Sequence, residues 1–265
     1  MKAKKRKTKK IAVVASGWHF PIQFYEAIAA QRLPKGWEME LFCVAHREPE
    51  AAAREKAGRT FSGPRAELDR ALYRSIATPD DLARLGWNYV LEPNTVGDWG
   101  NSNQWLDKHD PEDYDLLLFT HDDNLVLNDV WFDHVIGDNG FEDWGILANS
   151  LGMPEGWLRG SCEFFKPWVI GKLGGRFDLS QVTLSMEGKD TVSEDLGALY
   201  DWNKTVDPLM KTIYDREIPI GFMSPSYRVS AYCIEGERGY ITNTHGQNTA
   251  REDEGLRHLR ANGII

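Results

Sequence analysis

The stretch Tyr114-Asp115-Leu116-Leu117-Leu118-Phe119-Thr120-His121-Asp122-Asp123-Asn124 decides how the chain is read. An unbroken apolar run, Leu116 to Phe119, leads straight into a polar cluster. Such a run is what a strand buried on both faces looks like, although periodicity alone also admits a buried helix. As a strand, it delivers the cluster to the edge of a sheet, and in open α/β sheets ligands bind at the carboxyl ends of the strands. Two adjacent carboxylates repel unless a cation compensates them. Mg²⁺ and Mn²⁺ take carboxylate oxygens and keep waters and substrate phosphates as further ligands. The stretch therefore points to a strand-end metal site for a phosphorylated ligand. Asp-Asp-Asn is also a good turn and helix-cap sequence, so both readings stand at this point.

Upstream, Ile11-Ala12-Val13-Val14-Ala15 is a short apolar β-run, and Ser16-Gly17-Trp18 follows as a turn. Pro21 suits the first turn of a helix. Ile22, Tyr25, Ala29 and Leu33 then recur at helical spacing up to Pro34-Lys35-Gly36. Glu38 to Val44 alternates as a second strand. The opening is thus β-α-β, the mark of a nucleotide-binding α/β domain. Neither G-x-G-x-x-G nor G-x-x-x-x-G-K-[ST] is present, which removes the dinucleotide fingerprint and the P-loop.

Residues 46 to 85 are polar and rich in Ala, Arg and Glu. A helix is expected over Ala66 to Leu72. Thr78-Pro79-Asp80-Asp81 caps another, with the cap residue, the proline and the acids in their preferred places. Trp87 to Leu91 is a strand, Glu92 to Asn101 a loop, and Ser102 to Lys108 a helix. After the acidic cluster come a helix near Val130 to Ile136 and strands at Trp144 to Asn149 and Ser161 to Phe165. A helix from Pro167 to Leu173 is closed by Gly174-Gly175. Ser193-Glu194-Asp195 opens a helix through Leu196, Leu199, Tyr200 and Trp202, and Tyr227 to Ile234 alternates as a strand.

The chain has 265 residues and a net charge of -9, with 42% hydrophobic and 27% charged residues, an ordinary globular composition. The charge is uneven. Seven of the 31 basic residues lie in residues 1 to 10, and without them the remainder carries -16. We expect residues 1–10 to be a basic disordered tail that can touch a polyanion or simply solubilise, followed by one domain over 11–265. No apolar run approaches the roughly 18 residues needed to span a bilayer, so integral membrane association is not expected. The N-terminus lacks the apolar core of a secretory signal. Cys43, Cys162 and Cys233 are widely spaced and form no metal-ligand pattern, as in a reduced, cytoplasmic protein.

The order of these pieces resembles the family 2-like glycosyltransferases of GT-A fold. The likeness runs over about residues 11 to 200 and rests on the opening strand, turn and helix together with three further segments. Asn94-Thr95-Val96-Gly97-Asp98-Trp99-Gly100-Asn101-Ser102-Asn103 is similar to the family's N-x-G-x-x-x-x-R-N stretch. Asp113 to Asp123 is similar to Y-D-Y-V-L-F-L-D-D-D. Gly160 to Asp178 is similar to G-x-x-x-x-x-R-R-x-V-L-x-x-L-G-G-F-D, and an acidic pair, Glu194-Asp195, follows. The resemblance implies a Rossmann-related α/β domain with a central mixed, mostly parallel sheet flanked by helices. It implies an inverting enzyme that takes a nucleotide-diphosphate sugar as donor with Mn²⁺ or Mg²⁺. Asp123 matches the metal-binding aspartate, His121 replaces the first aspartate of that motif, and His245 falls where some relatives place a late histidine. Asp122 would contact the ribose or the metal. Ala15, Ser16, His46 and Asn101 would line the donor site, with Glu48 as another base contact. Asp195 matches the general base, with Glu194 as the alternate.

The chemistry suits those residues. Transfer from a nucleotide diphosphate needs charge neutralised on the leaving phosphates and a carboxylate to take the acceptor's proton. Trp18, Trp99 and Trp157 stand in loops where rings can stack on sugar or base, and Gly/Pro-rich flanks make Trp157 the acceptor-side candidate. Glu194-Asp195 is also a plain helix N-terminus, and His245 a plain turn residue. The acceptor can be a glycan, a protein, a small molecule or a modified DNA base. Two rival readings remain: a nucleotidyltransferase, which usually brings a basic glycine-rich phosphate loop that Ser16-Gly17-Trp18 is not, and a non-catalytic carbohydrate- or nucleic-acid-binding protein.

Overall fold

The apolar run at Ile11 to Ala15 has no face to spare for water. In the computed structural model it forms the middle of strand β1 (Lys9–Gly17), where each of these five residues is at most 2% exposed. The structure describes residues 8–57, 75–94, 97–122, 124–126, 129–138, 141–148, 162–180, 202–222 and 241–243. Around β1 lies a seven-stranded sheet built from β2 (Trp37–Ala45), β3 (Trp87–Leu91), β4 (Leu116–His121), β6 (Ile146–Ala148), β7 (Cys162–Phe165) and β8 (Ile220–Phe222). The order is β3-β2-β1-β4-β7-β6-β8. β1 pairs in parallel with β2 on one side and with β4 on the other, and β7 runs antiparallel to β4 and β6. This is the mixed, mostly parallel α/β sheet that the sequence leads one to expect. A separate antiparallel pair joins β5 (Asn124–Val126) to β9 (Ile241–Asn243).

Helices cover both faces, as buried parallel strands require. Ile11, Val13 and Ala15 face α1 (Ile22–Ala29) and α5 (Trp131–Asp138), packing with Phe24, Tyr25, Trp131 and Phe132. Ala12 and Val14 face the other way, toward α4 (Gly97–Leu106), α6 (Pro167–Lys172) and α7 (Trp202–Asp215), where Trp99, Trp105, Phe165 and Ile213 are buried. Each such side chain contributes about 1.5–3 kcal/mol of burial. The sheet is therefore a stiff, doubly covered platform. α2 (Pro49–Ala57) and α3 (Pro79–Arg84) fill the crossover between β2 and β3. Thr78 caps α3 as expected: its hydroxyl accepts from Asp81 N while the Asp81 carboxylate accepts from Thr78 N, a reciprocal capping box. No helix among the described residues is long and apolar enough to cross a membrane.

Several sequence expectations shift. The tail does not extend to Lys10, because β1 begins at Lys9. Lys10 meets Glu38 and Glu40 on β2, and the Lys9 ammonium sits 5.1 Å from the Trp37 ring, so both cations have reasons to join the sheet. α1 ends at Ala29 rather than Leu33. The largest change is α4, which begins at Gly97, where a loop is expected through Asn101. Tertiary contacts override the weak helix propensity of its glycines. Trp99 is 2% exposed and its ring lies 4.3 Å from that of Phe177. The Asn103 side chain bonds the Phe177 backbone through both its oxygen and its nitrogen. Trp99 is thus a core residue and not a stacking residue in a loop. The helix expected at Ala66 to Leu72, the one opened by Ser193 and the strand at Tyr227 to Ile234 lie outside the described residues. Cys43 and Cys162 are free, buried thiols.

Candidate donor site at the β1–β4 switch point

The chain leaves β1 for β2 on one flank, and β4 stands on the other. The strand order therefore reverses at β1, and the crevice outside the carboxyl ends of β1 and β4 is where an open α/β sheet binds its ligands. The register Ser16↔His121 and Ala15↔Thr120 puts the acidic stretch beside the turn after β1. Ala15 is fully buried, and Ser16 is 7% exposed. The site thus contains two of the positions expected to line it, and His121 adjoins them.

Asp122 is 1% exposed, and its carboxylate turns back toward that turn. Its Oδ2 accepts from the backbone N–H of Trp18 at 2.9 Å, of His19 at 2.9 Å and of Phe20 at 2.7 Å, and from the Tyr25 hydroxyl at 3.1 Å. Oδ1 is 3.2 Å from His19 N. Successive N–H groups converging on one anion form a nest, here filled by an internal carboxylate. Phe20 holds φ +54°, a left-handed conformation uncommon for a bulky side chain. Burial, and then the Asp122 charge, push the Tyr25 hydroxyl well above its usual titration range, so it stays a donor. Burial likewise pushes the Cys43 thiol up, although its contact with the Tyr25 hydroxyl works the other way.

The second wall comes from the residues after β2. Arg47 Nε donates to the Trp18 carbonyl at 2.7 Å, and its guanidinium lies 4.3 Å from the centre of the Trp18 ring. His46 is 3% exposed; its backbone N–H donates to Gly17 O at 3.2 Å and its Nε2 lies 3.3 Å from Gln104 Oε1. Gln104 Nε2 donates to Pro93 O at 2.7 Å. Asn101 is 2% exposed, with its Nδ2 on the Val44 carbonyl at 2.8 Å. Its Oδ1 is buried with no hydrogen-bond partner among the described residues. Asn101 braces the end of β2 from below. Next to α4, a cavity of about 660 Å³ opens between Asn103, Gln104, Asp107, Arg176, Phe177 and Asp178, a volume typical of ligand pockets.

Asp122, expected to contact the ribose or the metal, already has its carboxylate engaged within the chain. A ribose or a metal approaching its carboxylate would compete with four hydrogen-bond donors already in place. The metal set expected from sequence is only partly in view, since Asp123 and His245 lie outside the described residues, as do Glu194, Asp195 and Trp157. His121 is described, at the last position of β4. Among the described residues, no three His, Cys, Asp or Glu side chains gather as a metal set. Sequence reasoning passed over Arg47 and Glu163. Glu163 is fully buried on β7, opposite Phe119 near the carboxyl end of β4. A single acid inside the apolar run Cys162-Glu163-Phe164-Phe165 was the available signal, because a fully buried carboxylate needs partners, one of which is Cys162 N at 3.1 Å from Glu163 Oε2.

Neither a family model nor a curated protein sequence matches the chain. Solved structures similar in fold are glycosyltransferases by their own descriptions. The catalytic domain of Drosophila beta1,4-galactosyltransferase 7 in complex with xylobiose matches at 10% identity and TM-score 0.48, over 91% of this chain and 72% of that one. The glycosyltransferase GlyE of Streptococcus pneumoniae matches at 8% identity and TM-score 0.49, over 96% and 61%. TarS of S. aureus matches at 13% identity and TM-score 0.46, over 96% and 64%. The chain thus spans less than two thirds of the GlyE and TarS structures. With each TM-score below 0.5, the functional reading rests on this chain's own residues.

Proposed function

We propose that the chain is a metal-dependent, inverting glycosyltransferase that moves a sugar from a nucleotide-diphosphate donor to an acceptor hydroxyl. One observation carries the reading: the Thr120-His121-Asp122 end of β4 lies against the turn after β1, at the switch point of a mostly parallel sheet. In this reading the nucleotide lies across that crevice, with Ala15 and Ser16 beneath it and the Trp18–Arg47 stack and His46 at the base end. Asn101 acts from behind by bracing the end of β2. A divalent cation, Mn²⁺ or Mg²⁺, would be held by Asp123 with His121 and His245, and would neutralise charge on the leaving phosphates. Asp195, with Glu194 as the alternate, accepts the proton of the acceptor hydroxyl. Trp157 would serve the acceptor side, and the residues before Lys9 would be the basic tail.

A thermal-shift panel of UDP, GDP, dTDP and CMP, each with and without Mn²⁺, tests the donor half. A ligand at 100 times its dissociation constant stabilises by about 2.7 kcal/mol, a shift of a few degrees. One nucleotide should stabilise the protein only with Mn²⁺, and Asp123→Ala should abolish the effect. Asp195→Asn should still bind that nucleotide and lose turnover. If no nucleotide acts with or without metal, the transferase reading fails.

A further inference from the structure

The expected role of Asp122 was a ribose or metal contact, and its surroundings give it another. Its carboxylate meets three consecutive backbone N–H groups and one buried hydroxyl, all within 3.2 Å. The hydroxyl belongs to Tyr25 on α1, which is fully buried and packed at 5.0 Å against the Trp87 ring, so the anchor point is stiff. The loop thus held is the one that leaves β1 at the switch point. It is gripped at Trp18 from both sides, by Asp122 on the N–H and by Arg47 on the carbonyl. It also carries the left-handed Phe20, a conformation that persists only where its surroundings impose it.

We propose that Asp122 is a positioning residue: it holds residues 18–20 in the shape that cradles the donor nucleotide, and leaves ligation of the metal to Asp123. The proposal rests on the transferase reading for the nucleotide and on the observed hydrogen bonds for the loop. The reason for an ionised side chain is chemical. A carboxylate accepts several hydrogen bonds at once and donates none, which matches a nest of donors; an asparagine keeps one neutral, weaker acceptor oxygen for them and turns its amide N–H toward His19 N. The two neighbouring carboxylates of the motif thereby divide the work. One is neutralised by backbone dipoles, which lowers the repulsion the other would feel when it faces the phosphates and the cation.

The test compares Asp122→Asn with Asp123→Asn in the full chain, using two readouts. Amide hydrogen exchange reports the loop directly: in Asp122→Asn the amides of Trp18, His19 and Phe20 should exchange at least about tenfold faster while those of β4 hold, and in Asp123→Asn they should not change. The second readout is the dissociation constant of the nucleoside diphosphate found in the panel, with and without Mn²⁺. Asp122→Asn should weaken both values by a similar factor and keep their ratio within about twofold, whereas Asp123→Asn should collapse the ratio toward one. Tyr25→Phe, which deletes one donor and keeps the ring, should shift both readouts in the same direction by less, and decides the matter if Asp122→Asn does not fold. Unchanged exchange in the loop, or a collapsed Mn²⁺ ratio in Asp122→Asn, overturns the proposal. If the wild type binds none of the nucleotides, the transferase reading falls, and the exchange rates still decide whether Asp122 holds the loop.

Discussion

Strand β4 is bracketed by two aspartates, and both take hydrogen bonds from the chain of β1. At its amino end, Asp115 donates its backbone N–H to Lys10 O at 2.8 Å and accepts from Lys10 N on its carboxylate at 2.9 Å. At its carboxyl end, Asp122 donates its N–H to Ser16 O at 3.2 Å, and its carboxylate gathers the N–H groups of residues 18–20. The first is a half-buried register clip with lysine and glutamate neighbours. The second is a hub on a buried carboxylate, with two of its donors, Phe20 N and the Tyr25 hydroxyl, in buried hydrogen bonds and the other two half-buried. The difference comes from topology. The amino ends of parallel strands are entered from the surface, while the loops leaving the carboxyl ends converge over the β1–β4 crevice, where polar groups must be satisfied internally.

Breaking the hub should cost the most. Asp122→Ala leaves two buried donors, Phe20 N and the Tyr25 hydroxyl, unsatisfied at about 1–3 kcal/mol each, and two half-buried ones that water entering the gap can partly serve. We expect about 3–5 kcal/mol in urea unfolding at constant m-value. Next comes Gly17→Ala. A Cβ there would lie 2.8 Å from Cys43 Sγ and 3.2 Å from Ala45 Cβ. Overpacking of this kind costs about 1–3 kcal/mol, and the strain should reach the Trp18–Arg47 stack, visible as a change in tryptophan fluorescence. Asp115→Ala removes one partly solvated bond and should cost about 1 kcal/mol. If Asp115→Ala and Asp122→Ala prove equal, the contrast between clip and hub is wrong.

The platform was legible in the sequence because its signals are strong and local. Uninterrupted apolar runs gave β1 and β4, alternation gave β2, and Thr78-Pro79-Asp80-Asp81 gave the capped start of α3. Three classes of feature were not legible. α4 starts at Gly97 because Phe177, over seventy residues away, claims Trp99 and Asn103. The short strands β5, β8 and β9 are three residues each, too short to show a period. Finally, the hydrogen bonds on Asp122 were not legible, because the pattern around it is shared by ligand-binding and self-satisfied aspartates. Only the position of the nest, set by the fold, separates them. The place of the candidate site was readable from the acidic stretch at a strand end, whereas the hydrogen bonds that tie Asp122 to residues 18–20 were not.

The smallest expected effect lies at the amino end and sharpens the contrast from the other side. Lys166 follows β7, whose antiparallel course brings Phe165 opposite Leu117 at the start of β4. Its ammonium sits 3.0 Å from the centre of the Phe141 ring and 5.0 Å from that of Trp144. Burial pushes its pKa down to about 8, with Lys9 adding to the push and Glu142 and Asp115 opposing it. The two rings attract the cation, an effect of about 0.5–2 kcal/mol, which offsets part of the burial cost that the lowered pKa reflects. Lys166→Met should therefore be neutral or stabilising at pH 7, by at most about 1 kcal/mol. The pH dependence exposes the balance. A folded pKa of about 8 lies below the unfolded value of 10.5, so between those limits the unfolded chain binds more protons and stability rises with pH. Below pH 8 both states are charged and this group adds no slope. One full proton gives about 1.4 kcal/mol per pH unit, and any attraction by the rings narrows the pH window over which it acts. Urea midpoints of wild type and Lys166→Met from pH 7 to 10 isolate the term, because every other titrating group is common to both. A difference that grows with pH in favour of the wild type shows an ammonium held at the cost of its hydration. A flat difference means that the rings hold the charge fully, and that the amino end, like the carboxyl end, satisfies its buried ion.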